Sequence, residues 1–252
     1  MQLSDTYNFT TIEWILAIVA AMCIGLSKTG LSGLSILTIA IFARIIPPKE
    51  SSGLVLPLLI CADVVAVFSF KRHAHWNHLW KIFPWAGAGV VIGFFALKHI
   101  DERAAQHLIG SILLIMVSVQ LWRQFIQKDT LEELPKWLAP IIGLAAGFST
   151  MIANAAGPIM VLYLLAAGLP KMELIGTGAW FFFVINLFKV PFSLNLGFIN
   201  ERSVLLNALL APVTVASAFL GMRIVKHINQ TVFNYVTLIM ALCGSLNLLL
   251  SR

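Results

Sequence analysis

Apolar runs punctuate the chain at 12–26, 33–46, 53–70, 79–97, 104–125, 137–148, 155–168, 174–199, 203–225 and 232–250. Several reach the ~20 residues that a helix needs to cross a hydrocarbon core. Helix is the default for such runs, because each segment must satisfy its own backbone hydrogen bonds in lipid. Trp14, Trp76, Trp80, Trp122 and Trp137 lie near run ends, where indole favours the membrane–water interface. The most polar stretch, 127–136, divides the chain near its middle and reads as a linker between halves at 1–126 and 137–252.

The halves repeat. Gly93, Lys98, His99, Ile100 and Asp101 recur at the same spacing as Gly221, Lys226, His227, Ile228 and Asn229. Pro48-Lys49 recurs as Pro170-Lys171, and Gly25-Leu26-Ser27 as Gly147-Phe148-Ser149. In the register of these last two pairs Ser32 falls on Asn154, and Asp63 falls opposite Asn186 to within one position. Repeated halves are a common construction of secondary transporters.

Each half opens on an apolar segment broken by polar residues. The first break runs from Gly25 to Gly33 and the second from Gly147 to Pro158. A continuous helix over 12–46 would be roughly 50 Å long, too long for one crossing and short for two with a turn. Two short arms meeting at a polar tip fit better, and irregular backbone at membrane depth is tolerated only beside protein or a wet cavity. Ser32 and Asn154 are favoured helix N-caps, with Gly33 and Pro158 in the first turns that follow. Each returning arm then offers free N–H groups and its positive dipole end, an arrangement that binds anions. Ser27, Thr29, Ser149 and Thr150 add hydroxyls, and Lys28 adds a full charge. Close helix packing also favours Gly, Ala, Ser and Thr, but it leaves Lys28 unexplained.

Composition sharpens this picture. Hydrophobic residues make up 59% of the chain and charged ones 11%. Soluble domains carry about 25% charged residues. The expected fold is therefore an all-α polytopic membrane protein, each half a broken, re-entrant hairpin followed by three transmembrane helices. Short arms favour inverted repeats; spanning arms would make the halves parallel, and the Lys/Arg balance of the loops does not choose. The net charge of +6 is spread between apolar runs, where it meets lipid headgroups, and no basic run dense enough for nucleic acid occurs. The first eleven residues lack a basic segment, so no removable signal peptide is expected.

Two ionisable residues interrupt long apolar runs: Asp63 and Lys189. Intramembrane charge is a functional hypothesis by default. Asp63 is the candidate to carry a coupling proton, and Lys189 to join Lys28 in neutralising an anion. The competing readings are a structural ion pair for Asp63 and snorkelling for Lys189. His73, His75 and His78 sit among Lys71, Arg72, Trp76 and Trp80, which marks an interfacial loop; no carboxylate in it would orient a metal ligand. Cys23, Cys61 and Cys243 show no paired spacing. No metal site, cofactor or catalytic motif is expected, and the chain does not read as an enzyme.

With its two halves and Gly-rich breaks at 25–33 and 147–158, the chain resembles the sulfite exporter TauE/SafE family, also called the 4-toluene sulfonate uptake permease family. The resemblance covers nearly the whole chain, although Asn154-Ala155-Ala156 stands where the family carries a glycine run. It implies a transporter of the cell inner membrane that moves sulfite, sulfonates or related sulfur-containing anions, commonly outward. The substrate-binding candidates are Ser27, Lys28, Thr29, Ser32, Gly33, Ser149, Thr150, Asn154 and Lys189, with Asp63 coupling. An anion channel would share this lining, and a membrane-embedded enzyme would need clustered His and carboxylates that the chain lacks. The expected partners are a small anion, protons and the lipid bilayer; a homodimer is admitted but nothing in the sequence requires it.

Overall fold

A computed structural model describes residues 7, 9–28, 33–125, 137–224, 239, 242, 246 and 250. The predicted tip residues Thr29 and Ser32, the linker 127–136, Cys243 and most of the last apolar run lie outside the described residues. So does the second copy of the Lys-His-Ile motif.

The described elements are all helices. They are α1 (Thr11–Ser27), α2 (Gly33–Ile45), α3 (Pro48–Leu54), α4 (Leu56–Phe70), α5 (Trp76–His99), α6 (Glu102–Phe125), α7 (Leu138–Ala153), α8 (Gly157–Ala166), α9 (Lys171–Asn195) and α10 (Glu201–Ile224). Helix α1 starts on a capping box. The Thr10 hydroxyl accepts from the Glu13 N–H, and the Glu13 carboxylate accepts from the Thr10 N–H at 2.8 Å. At 1.5 Å per residue, α1 is about 25 Å long and α2 about 20 Å, both short of a ~30 Å hydrocarbon core. They run antiparallel. Thr38 on α2 donates to the Ala20 carbonyl on α1 at 3.4 Å, and Leu34 and Leu37 pack on Cys23.

The segments Glu50–His73, Trp76–His99, Met172–Asn195 and Glu201–Arg223 are long and apolar enough to cross a bilayer. Their outward faces expose Ile92, Phe95, Leu194, Phe219 and Leu220, each more than half accessible. A soluble domain does not leave so continuous an apolar surface open, and lipid is its natural cover. The chain is a multi-pass membrane protein. In the first of these spans Pro57, in the first turn of α4, interrupts the helical hydrogen bonding next to Val55.

Two close helix crossings use residues that the sequence register pairs. Helix α7 lies along α5, and α1 lies along α10. Gly147 on α7 touches α5 so closely that a Cβ there would overlap the Ala86 carbonyl oxygen. Gly25 on α1 meets the Thr214 carbonyl on α10 in the same way. Gly25 and Gly147 are a repeat pair, and the register that joins Gly93 to Gly221 carries Ala86 onto Thr214 and Pro84 onto Pro212. Equivalent residues therefore make equivalent contacts across two interfaces. The remaining central contact, α4 on α9, joins the helices that carry Asp63 and Asn186, which the sequence register sets within one position of each other. Helix α8 lies against α6 and α9.

Candidate functional site

The described residues of the two breaks share a cavity. Ser27, Lys28, Thr150, Asn154 and Gly157 line one cavity of about 80 Å³, closed further by α4, α8 and α9. Lys28 caps the C-terminus of α1, and its ammonium lies 2.7 Å from the Asp63 carboxylate on α4. It also stands 4.8 Å over the Phe182 ring on α9, a cation–π contact. The Lys28 side chain is 10% accessible, so it still borders the cavity, whereas Asp63 is fully buried.

From Asp63 a chain of side chains crosses to the other half. Asn186 donates to the second Asp63 oxygen at 2.7 Å. Its carbonyl oxygen then faces the Lys189 ammonium at 3.5 Å. Lys189 also donates to Asn154 at 2.5 Å and to Thr150 at 3.3 Å. Asn154 in turn donates its amide N–H to the Ser52 carbonyl at the end of α3, at 2.7 Å. Both amide orientations are fixed, because each NH₂ has an acceptor that its oxygen could not replace. Lys189 is thus met by three acceptor oxygens and an ammonium has three donors to match them. Lys189, Asn186, Thr150 and Asn154 are all buried. This cluster holds two lysines and one carboxylate, and Asp63 is already paired with Lys28.

The second break differs from the expected cap. Asn154 is not the N-cap of α8 but the C-cap of α7, in the left-handed region at φ 50°. Its own N–H returns to the Thr150 carbonyl at 3.0 Å, and the N–H of Ala155 to the Ser149 carbonyl at 3.3 Å. Asparagine is among the few side chains that tolerate this backbone. Ala155 and Ala156 then lead to α8, with Pro158 in its first turn, where no N–H is missed. Gly33 does open α2. Ser27 and Ser149 hold equivalent places and act alike, each donating back to its own helix, to Ile24 at 2.7 Å and Ala146 at 3.2 Å.

Reading the sequence overlooked three contributors. Phe182 is the wall beneath Lys28, Ser52 anchors Asn154, and Asn207 on α10 donates to the Leu54 carbonyl at 2.9 Å. Pro57 inside an apolar run was the available sign that the α3–α4 junction leaves carbonyls for side chains to satisfy. The histidines lie elsewhere. His75 pairs with Glu173 of α9 at 2.5 Å, and His78 meets the Tyr163 hydroxyl at 3.1 Å. Among the described residues no three His, Cys, Asp or Glu side chains converge as a metal site would require.

Comparison with known proteins adds one finding. The family model described as Sulfite exporter TauE/SafE matches residues 16–248. No curated protein and no solved structure matches the chain.

Proposed function

Because the chain belongs to the sulfite exporter TauE/SafE family, we propose that it is a secondary transporter carrying a small sulfur-containing anion across the cell inner membrane. The anion is held at mid-depth between the two helix breaks. The observation that carries this reading is the charge of the buried cluster: two lysines against one carboxylate beside a cavity. A buried lysine without a carboxylate either sheds its proton or costs several kcal/mol, and an anion in the cavity favours its charged form. Lys28 is the direct ligand, because it alone of the two lysines borders the cavity. Lys189 acts through its field and by holding Thr150 and Asn154 in place.

Asp63 occupies Lys28 when the cavity is empty. An arriving anion competes with that carboxylate for the same ammonium, and a proton on Asp63 ends the competition. Anion and proton are then loaded together. A monoanion with its proton crosses without net charge, so the direction follows the combined gradients, and a high internal concentration drives export. The reciprocal contacts of Gly25 and Gly147 support two repeats about an axis through the α4–α9 contact, and the short antiparallel arms α1 and α2 favour inversion. Asp63 and Asn186, near-equivalent positions, touch there.

The experiment is flux in proteoliposomes loaded with sulfite or methanesulfonate. An imposed proton gradient should move the anion uphill. Flux that only ever runs down the anion's own gradient would make the protein a channel, and absence of flux for both anions would remove the proposal.

A further inference from the structure

The turn between α4 and α5 is one-sided in charge. No acidic residue occurs between Asp63 and Asp101, while Lys71, Arg72 and Lys81 fall within that stretch. All three are exposed, and among the described residues no carboxylate pairs with any of them. Glu173 of α9 does reach the turn, but it pairs with His75. The other described turns mix their signs. Lys49 stands beside Glu50, Lys98 near Asp101 and Glu102, Lys171 near Glu173, and Arg202 beside Glu201.

This turn lies at a membrane boundary, because the spans Glu50–His73 and Trp76–His99 end and begin there. Next to the charges stands an outward-facing aromatic shelf. Phe68 is 71% exposed and Trp80 67%. The Lys71 ammonium stands 5.7 Å over the Phe68 ring, and the rings of Trp76 and Trp80 lie 6.1 Å apart on α5. Indoles favour headgroup level, and a lysine stem laid along an apolar ring carries its charge out to the same level. The turn is also held in place by α9. The His75 N–H donates to the Thr177 hydroxyl at 2.9 Å, Trp76 packs 5.1 Å from Trp180, and a Cβ on Gly176 would come within 2.8 Å of the Phe70 carbonyl oxygen. A ligand there meets a fixed backbone and loses little to ordering it. We infer that this turn is a binding site for an anionic phospholipid. Its phosphate lies against Lys71 and Arg72, and its acyl chains run down beside Phe68 and Trp80. The Arg72 fork matches two phosphate oxygens and Lys71 supplies a point charge, while Lys81 adds to the same field. A zwitterionic lipid brings its own cation to the turn and gains far less.

The test is lipid binding to the full chain in detergent, read as lipid adducts by native mass spectrometry. The probes are phosphatidylglycerol and phosphatidylcholine with the same acyl chains. Each basic residue near the surface adds about fivefold, so Lys71 and Arg72 together should favour the anionic lipid by about 25-fold. The double variant Lys71→Gln with Arg72→Gln should remove most of that preference. Lys98→Gln with Arg103→Gln is the matched control and should leave it intact: the Lys98 ammonium stands 5.8 Å over the Phe94 ring in the same manner, but near Asp101 and Glu102. Equal binding of the two lipids by wild type overturns the inference. So does a preference untouched by the Lys71 and Arg72 changes, or one lowered as far by the control pair, which would make the attraction diffuse. Displacement of phosphatidylglycerol by an equal concentration of inorganic phosphate would make this a phosphate site and not a lipid site, and overturns the inference too. The four substituted side chains are exposed, so the variants should fold, and the comparison of the two lipids needs only the wild-type chain.

Discussion

Replacing Asp63 with Asn should make the protein bind its anion more tightly and cease to bind a proton with it. The Lys28 ammonium is 2.7 Å from the Asp63 carboxylate, so in the resting protein the anion must displace a partner already in place. Breaking a buried pair costs on the order of 3–5 kcal/mol. Lys28 is one-tenth accessible, and solvent at the cavity discounts that figure. A third of the middle value, ~1.3 kcal/mol, still corresponds to about ninefold in affinity. Asn is nearly isosteric and keeps a carbonyl oxygen for the Asn186 N–H, which limits the change to charge. The empty variant should also be less stable than wild type, because Lys28 has lost its counter-ion, and added anion should restore more of its melting temperature than it does for wild type.

Proton uptake is the sharper readout. In wild type one proton should enter with each anion, so affinity rises as pH falls, by up to tenfold per unit where Asp63 is otherwise ionised. The basic groups facing Asp63 are Lys28 from the end of α1 and Lys189 from α9. Calorimetry in buffers of different ionisation enthalpy counts the proton directly. For Asp63→Asn the count should be zero and the affinity flat with pH. Weaker anion binding by this variant, or an unchanged proton count, would refute competition at Lys28 and leave Asp63 a structural partner of the lysine.

Much of this site could be read from the residue order, for identifiable reasons. A lysine or aspartate inside an apolar run is conspicuous because burial is costly, so Lys28, Asp63 and Lys189 stand out in the sequence alone. The repeat register also placed Asp63 opposite Asn186, and these two side chains are hydrogen-bonded. Asn154 was located but given the wrong end of the break. Asparagine caps helix N-termini with its side chain and tolerates the left-handed backbone that ends helices, and sequence alone does not separate these uses. The helix interruption at Val55 is hidden because residues 53–60 carry no polar side chain, and only Pro57 marks it. The roles of Gly25 and Gly147 were beyond reach for a different reason. A close crossing depends on which helix arrives from elsewhere in the chain, and pattern along one helix does not name its partner.

The remaining predictions separate packing from binding. Gly147→Val should drive a side chain into the Ala86 carbonyl and Gly25→Val into that of Thr214; both should destabilise by at least the ~1–3 kcal/mol typical of overpacking, seen as a lower melting temperature in detergent. A neutral effect of either substitution would mean that the helices do not cross so closely. The two lysines should differ in kind. Lys189→Ala strands the oxygens of Thr150, Asn154 and Asn186 in a fully buried site, where each unsatisfied group costs about 1–3 kcal/mol, so its first effect should be on stability. Lys28→Ala removes the cation that borders the cavity, and Asp63 can answer its loss by taking up a proton, so the fold should tolerate it best at low pH. Anion binding should fall far more for Lys28→Ala than for whatever folded Lys189→Ala is recovered. Lys28→Arg should also bind poorly, because a planar fork replaces a compact ammonium wedged between Asp63 and the Phe182 ring. If Lys28→Ala binds sulfite and sulfonates as tightly as wild type, the first break is a packing device and the anion is held somewhere other than the cavity between the two halves.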